Sequence, residues 1–60
     1  MHSLVALIPG LYADSGGRLY LATAEFLSAH GMPDSPVVRT VVWEEVREVF
    51  GDIPVNELSD

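Results

Sequence analysis

The chain opens with a short block of apolar residues that predicts a strand. Residues 4–8 read Leu-Val-Ala-Leu-Ile without a polar interruption, and Pro9-Gly10 follows them. A bounded apolar run of this length is more typical of a buried strand than of a helix. Because both faces of such a strand are apolar, we expect both to be covered.

A hairpin is predicted next. Two β-prone segments, 10–13 and 18–21, flank an Asp-Ser-Gly-Gly turn whose glycines supply positive φ angles. If the four turn residues form the loop, Ala13 lies opposite Arg18. This register divides the side chains between two faces of the hairpin, with Tyr12, Leu19 and Leu21 on one and Leu11, Arg18 and Tyr20 on the other.

A short helix is predicted after the hairpin. Thr23 is a favourable N-cap, and Gly31 is a favourable residue just beyond a helix C-terminus, so the helix spans residues 24–30. Phe26 and Leu27 give it an apolar side.

Residues 37–50 support two interpretations. Their many valines disfavour a helix, and 37–43 taken alone resembles a strand. The helical interpretation follows from the valines that one helix face would carry, Val38, Val42, Val46 and Val49. Ser35 as N-cap, Pro36 at the first helical position and Gly51 at the end favour the helix, and we predict one.

The last apolar segment predicts an edge strand. Residues 53–58 alternate in character, and Pro54 has no N–H to donate to a ladder. Ser59 and Asp60 form a tail. The order β-β-β-α-α-β predicts one α+β domain over residues 1–60, in which a small antiparallel sheet packs on a helix pair.

Composition limits how such a fold is stabilised. Sixty residues without cysteine have neither a disulfide nor a cysteine-based zinc site to support the core. A chain of this length buries only about 60% of the surface that it exposes when unfolded, yet 48% of its residues are hydrophobic. We therefore expect a homo-oligomer.

The charge is acidic and uneven. The chain contains nine carboxylates, three arginines and no lysine, which gives a net charge of −6. Residues 31–60 carry seven of the acids and two of the arginines. Binding to nucleic-acid phosphates needs cations, so we expect a protein partner, from a host or the chain itself, and no direct nucleic-acid binding.

Targeting signals are missing from the sequence. The apolar run at 4–8 is too short to span a membrane, and no basic residues precede it. We expect a complete small reading frame, a cytoplasmic protein and no membrane partner. Lysine poverty beside many Val, Ala and Gly residues is typical of a high-GC genome, and we expect a phage or mobile element to encode the chain.

Residues capable of catalysis do not form a motif. The candidates include His2, His30, Ser3, Ser15 and Ser28. The sequence lacks the Gly-x-Ser-x-Gly, phosphate-loop and His-Glu-x-x-His patterns. We expect no catalytic residue, no cofactor and no enzymatic activity.

The predicted second helix carries a Trp/Arg ladder. Arg39, Trp43 and Arg47 follow one another at intervals of four, and these residue types are enriched where interfaces concentrate binding energy. Alternatively, Trp43 covers the edge of the core while the arginines stack on it. With Leu11 and Tyr20 from the hairpin, these are the candidate interface residues.

Three glutamates, Glu44, Glu45 and Glu48, form a predicted acidic face on the same helix. A divalent cation needs more oxygen ligands than they supply, so we predict no metal site. The acid excess suggests one alternative function, a decoy that inhibits a host nucleic-acid-binding protein.

Residues 20–39 suggest another alternative. The stretch Tyr20-Leu-Ala-Thr-Ala-Glu-Phe-Leu, followed by His30-Gly-Met and Ser35-Pro-Val-Val-Arg, resembles the opening of excisionase and MerR-type helix-turn-helix segments. The resemblance implies a DNA-binding accessory factor. The sequence departs from those families in two places. The connector 32–36 is rich in proline, and the helix that follows it carries glutamates where those families have cations.

Overall fold

The computed structural model describes residues 3–58. Its elements, in chain order, are β1 (Val5–Ile8), β2 (Leu11–Ala13), β3 (Leu19–Leu21), α1 (Thr23–Ala29), α2 (Pro36–Phe50) and β4 (Val55–Glu57). The predicted α+β fold and its element order are confirmed. His2, Ser59 and Asp60 lie outside the described residues.

The four strands form one sheet in the order β1-β2-β3-β4. The pairs β1–β2 and β2–β3 are antiparallel, as predicted, whereas β4 pairs parallel to β3. The sheet is therefore mixed. A parallel neighbour requires a crossover connection, which the two helices supply, and β4 lies at an edge, as Pro54 indicated.

The predicted register of the β2–β3 hairpin is wrong by one residue. Ala13 lies opposite Leu19 instead of Arg18. Asp14 causes the shift, because its Oδ1 accepts the backbone N–H groups of both Gly16 and Arg18 at 2.9 Å. Arg18 thereby joins the loop, and its carbonyl accepts the Asp14 N–H at 3.0 Å.

This one-residue shift moves the side chains of β3 to the opposite face relative to those of β2, because successive side chains of a strand point to opposite sides. Leu11 lies opposite Leu21, and both enter the core. Tyr12 and Tyr20 lie opposite each other on the outer face of the sheet.

Helix α1 begins one residue earlier than predicted. Thr23 is its first residue, and the N-cap is Ala22, whose side chain makes no capping hydrogen bond. The hydroxyl of Thr23 instead accepts a hydrogen bond from Trp43 Nε1 at 3.1 Å. Thr23 is therefore a buried contact between the helices.

Helix α2 confirms the helical interpretation of residues 37–50. Ser35 Oγ accepts the backbone N–H of Val38 at 3.2 Å, and Pro36 occupies the first turn. Gly51 follows the helix with φ of +57°, a conformation that glycine adopts without a steric penalty. Both predicted end signals are thus confirmed.

A small core lies between one face of the sheet and the two helices. Its buried residues are Leu11, Leu21, Phe26, Leu27, Val42 and Val46, with Val38, Trp43, Phe50 and Val55 packed around them. Val49, which the periodicity placed on the same stripe, is 73% exposed. It lies in the last turn of α2, beside the exposed groove that Leu7 and Ile8 line.

Strand β1 is exposed along its whole length, so the expectation that both of its faces are covered is wrong for this chain alone. Val5 lies opposite Ala13 and Ile8 opposite Leu11. Residues directly opposite each other share a face, so Val5 and Ile8 point to the side where the core lies. The core ends before it reaches them.

Candidate interaction surface

The Trp/Arg ladder of α2 is largely engaged in contacts within the chain. Arg39 binds Asp34 through two hydrogen bonds, Nε to Oδ1 at 2.6 Å and Nη2 to Oδ2 at 2.9 Å. This bidentate pair holds the pKa of Asp34 below its usual range. Because both side chains are partly exposed, the pair contributes little to stability.

Trp43 lies at the margin of the core. It is half-buried and packs against the core cluster, while its indole N–H binds Thr23 on α1. The guanidinium of Arg47 lies 5.4 Å from the ring centroid, within the range of a cation–π contact. The ladder therefore ties α2 to α1 and places one arginine over the indole.

The groove beside this ladder has mixed charge. Its lining residues are Arg39, Thr40, Trp43, Glu44, Arg47 and Glu57. The two arginines are balanced by two glutamates. This groove therefore offers no concentration of positive charge for a phosphate.

The hairpin candidates occupy different environments. Leu11 is 3% exposed and belongs to the core, so it is not part of an exposed surface. Tyr20 donates its hydroxyl to Asp14 Oδ2 at 3.1 Å. The pKa of Asp14 lies below its usual range, mainly because the backbone N–H of Arg18 donates to it, with contributions from Tyr20 and Gly16.

The three glutamates of α2 do not share one groove. Glu44 lines the mixed groove beside Trp43, whereas Glu45 lines apolar grooves on the other side of the helix. Glu48 is exposed. Within residues 3–58, no three His, Asp or Glu side chains cluster closely enough to hold a metal ion.

The remaining catalytic candidates have ordinary surroundings. Ser15 and Ser28 are exposed. The ring of His30 lies 4.1 Å from that of Phe26, and its Nε2 is 3.3 Å from the carbonyl oxygen of Pro9. His30 thus packs the end of α1 onto the β1–β2 turn.

A further feature is an apolar surface that the sequence did not single out. Two apolar grooves share Phe26, Glu45 and Val46 and so form one continuous strip. Its exposed large apolar side chains, which we call the apolar face, are Leu7, Ile8, Met32, Val37, Val41 and Val49. Glu45 is the charged residue among those lining the two grooves.

A sequence signal for this face did exist. Val37 and Val41 are four residues apart and form a second row beside the buried valines of α2. In a helix, residues four apart lie on one side. The apolar arc of α2 is thus wider than one sheet covers, and Val37 and Val49 are each 73% exposed.

The chain is also less compact than its mass predicts. Its accessible surface is 4218 Å², whereas a folded protein of 6.5 kDa is expected to expose roughly 3,800 Å². The radius of gyration is 11.2 Å, against about 10.4 Å expected for 60 residues.

Within residues 3–58, no helix combines the length and the hydrophobicity needed to cross a membrane. Comparisons of the chain with protein-family models, with curated proteins and with solved structures find no match.

Proposed function

We propose that this chain is a small non-enzymatic protein-interaction module that binds its partner through the apolar face. The observation that carries the proposal is the continuity of exposed apolar side chains from β1 across the α1–α2 cleft to Met32 and Val37. Large contiguous apolar patches on small proteins usually mark contact surfaces.

Burial of these side chains supplies the driving force. Transferring a Val, Leu or Ile side chain fully out of water stabilises a complex by about 1.5–3 kcal/mol. Val37 and Val49 still expose most of their surface. A partner that covers the apolar face therefore recovers free energy that folding of this chain leaves unused.

The chemistry of the apolar face defines the partner surface. Apart from Glu45, the residues lining its two grooves are uncharged, although the chain carries a net charge of −6. A strongly charged partner surface would lose hydration there without gaining ion pairs. The matching surface is therefore apolar and close to neutral.

Two matched double variants test the proposal. Val41→Gln with Val49→Gln removes apolar surface without changing charge, and Glu44→Gln with Glu48→Gln removes charge on the same helix. Glutamine is a good helix former, so both variants should keep α2 intact by circular dichroism. The measurement is capture of bacterial proteins, including an untagged copy of the chain, by tagged bait.

We expect the valine variant to lose at least tenfold of what the parent chain captures and the glutamate variant to retain it. Retention by the valine variant with loss by the glutamate variant would instead support the acidic decoy. A parent chain that captures no protein above background would contradict both functions.

A further inference from the structure

We infer that the partner covering the β1 end of the apolar face is a second copy of this chain. The two copies pair their β1 strands antiparallel across a two-fold axis and join two four-stranded sheets into one sheet of eight. This inference rests on the proposed function, since it names the occupant of part of the same face.

The two edges of the sheet differ in how they are protected. An edge strand presents unpaired backbone groups to any strand that can add to it, and proteins usually protect such edges with proline or charge. At one edge, β4 follows Pro54 and contains Glu57. At the other, β1 is Val-Ala-Leu-Ile, without a charge, and its proline, Pro9, comes only after the strand has ended.

The β1 edge carries one irregularity, a shift of register between Ala6 and Ile8. A bulge of this kind bends a strand and limits the length over which a new neighbour can pair. Val5 and Ala6 keep regular pairing with β2. We therefore expect pairing between copies to centre on the first half of β1.

The side chains of β1 leave apolar surface exposed at the end of the core. Val5 and Ile8 point toward the core side of the sheet but remain 64% and 44% exposed. Adding a second β1 beside the first brings both pairs together on one face. The core then continues from one copy into the other, with the two α2 helices flanking the junction.

Charge favours a contact through the β1 segment. Two copies with a net charge of −6 each repel one another, and the repulsion is weakest when uncharged surfaces meet. Residues 3–13 contain no Asp, Glu, Lys, Arg or His. A two-fold contact brings the same patch of both copies together, so this neutral segment meets another neutral segment.

Many of the apolar side chains that remain exposed are concentrated at β1. A standard interface buries roughly 800 Å² on each partner, about a fifth of the 4218 Å² that this chain exposes. Among the described residues, four of the nine exposed large apolar side chains lie within residues 4–8. An interface centred on β1 extends from these side chains to the groove beside Val49 and Phe50, which is lined mostly by apolar residues.

Cysteine scanning tests this arrangement without background, because the chain has no cysteine. The single variants are Val5→Cys, Ala6→Cys and Leu7→Cys in β1, Val49→Cys on α2 and Ser15→Cys in the β2–β3 turn. A disulfide requires Cα atoms about 4.4–6.8 Å apart. The measurements are the rate of disulfide-linked dimer formation under mild oxidation and the mass of the unmodified chain by light scattering.

We expect the mass to double as concentration rises through the micromolar range. At least one β1 position should cross-link tenfold faster than Ser15→Cys, with rates that alternate along the strand because successive side chains change face. Dimers that cross-link fastest at Val49→Cys, with β1 no faster than Ser15→Cys, would overturn the strand pairing but leave the proposed function standing.

A purified chain that stays monomeric would overturn the second copy as occupant, while capture of another protein through the apolar face would still support the proposed function. Lysine variants provide an independent measurement. Val5→Lys should weaken dimerisation at least tenfold, and Ile53→Lys, a similar change at an exposed apolar residue outside the apolar face, should leave it unchanged. Equal effects of both would count against β1.

Discussion

Strands β1 and β3 belong to the same sheet and are built from similar residues, yet they differ in how deeply they are buried. Strand β3 is Leu-Tyr-Leu, and Leu21 is fully buried at 0% exposure. Strand β1 is Val-Ala-Leu-Ile, and all four of its residues are exposed. Apolar composition therefore does not decide which strand enters the core.

Position in the sheet makes the difference. Strand β3 lies between β2 and β4, on the part of the sheet that packs against the helices. Strand β1 lies at the edge, with one strand neighbour. An apolar strand at an uncovered edge can still gain free energy by binding a partner. The following predictions test how strongly the covered and uncovered regions of the sheet differ.

The largest expected difference comes from truncating one leucine in each strand. Leu21→Ala should destabilise the fold by about 2–5 kcal/mol because it leaves a cavity in the core. The total stability of a chain of this size is about 3–9 kcal/mol, so this variant is expected to be largely unfolded. Leu7→Ala should change stability by about 0.5 kcal/mol or less.

Urea unfolding at a concentration too low for association measures both leucine variants. If Leu7→Ala lost as much stability as Leu21→Ala in dilute solution, β1 would have to be packed within the chain.

The next effect concerns the place where α1 meets the turn before β2. A Cβ added at Gly10 would lie 2.5 Å from the Cα of Phe26, and Gly10 has φ of +90°. Gly10→Ala should lose about 2–4 kcal/mol, combining the left-handed backbone with overpacking. Gly17→Ala, with φ of +81° and open space around it, should lose only about 1–2 kcal/mol.

Thermal unfolding of the two alanine variants provides the measurement. Equal losses at Gly10 and Gly17 would show that α1 does not press on this turn.

A smaller effect is expected at the side-chain hydrogen bond that joins α2 to α1. Trp43→Phe removes the indole N–H that binds the hydroxyl of Thr23, which is 3% exposed. We expect a loss of about 1–2 kcal/mol. A double-mutant cycle with Thr23→Val isolates the hydrogen bond, and a coupling free energy near zero would assign the loss to packing of the ring.

The smallest effect is a pH dependence at the β2–β3 turn. The pKa of Asp14 is lower in the folded chain than in the unfolded one, mainly because of the Arg18 backbone N–H. The stabilisation is therefore fully present above an ordinary aspartate pKa of about 3.9 and is lost as pH falls through the lower folded-state pKa.

Asp14→Asn keeps the Oδ1 acceptor but cannot titrate, so its stability should fall less steeply between pH 5 and pH 2 in urea unfolding. A slope identical to that of the parent chain would remove Asp14 as the cause.

Local signals allowed much of the fold to be predicted. Ser35, Pro36 and Gly51 fix the ends of α2 through hydrogen bonds and backbone angles that involve only neighbouring residues. The β2–β3 register was missed because one side chain, Asp14, binds two backbone N–H groups and extends the loop by a residue. Residue preferences for turns do not count such bonds.

The surface was harder to predict than the fold. Trp43 and Arg47 were predicted to be interface residues because of their residue types, but some of their contacts lie within the chain. The apolar face depends on how far α2 extends across the sheet, which is a tertiary property. The row of Val37 and Val41 was visible in the sequence, yet only the fold shows that nothing in residues 3–58 covers it.

The parallel pairing of β3 with β4 has a kinetic consequence. Strands β1 to β3 are joined by tight turns and form contacts between residues close in sequence, whereas β4 can pair only after residues 22–54 have been closed into a loop. The chain must lose the entropy of closing this loop before the contacts between β3 and β4 contribute any stabilisation. The transition state for folding should therefore contain the three-stranded meander, with β4 docking on the downhill side of the barrier.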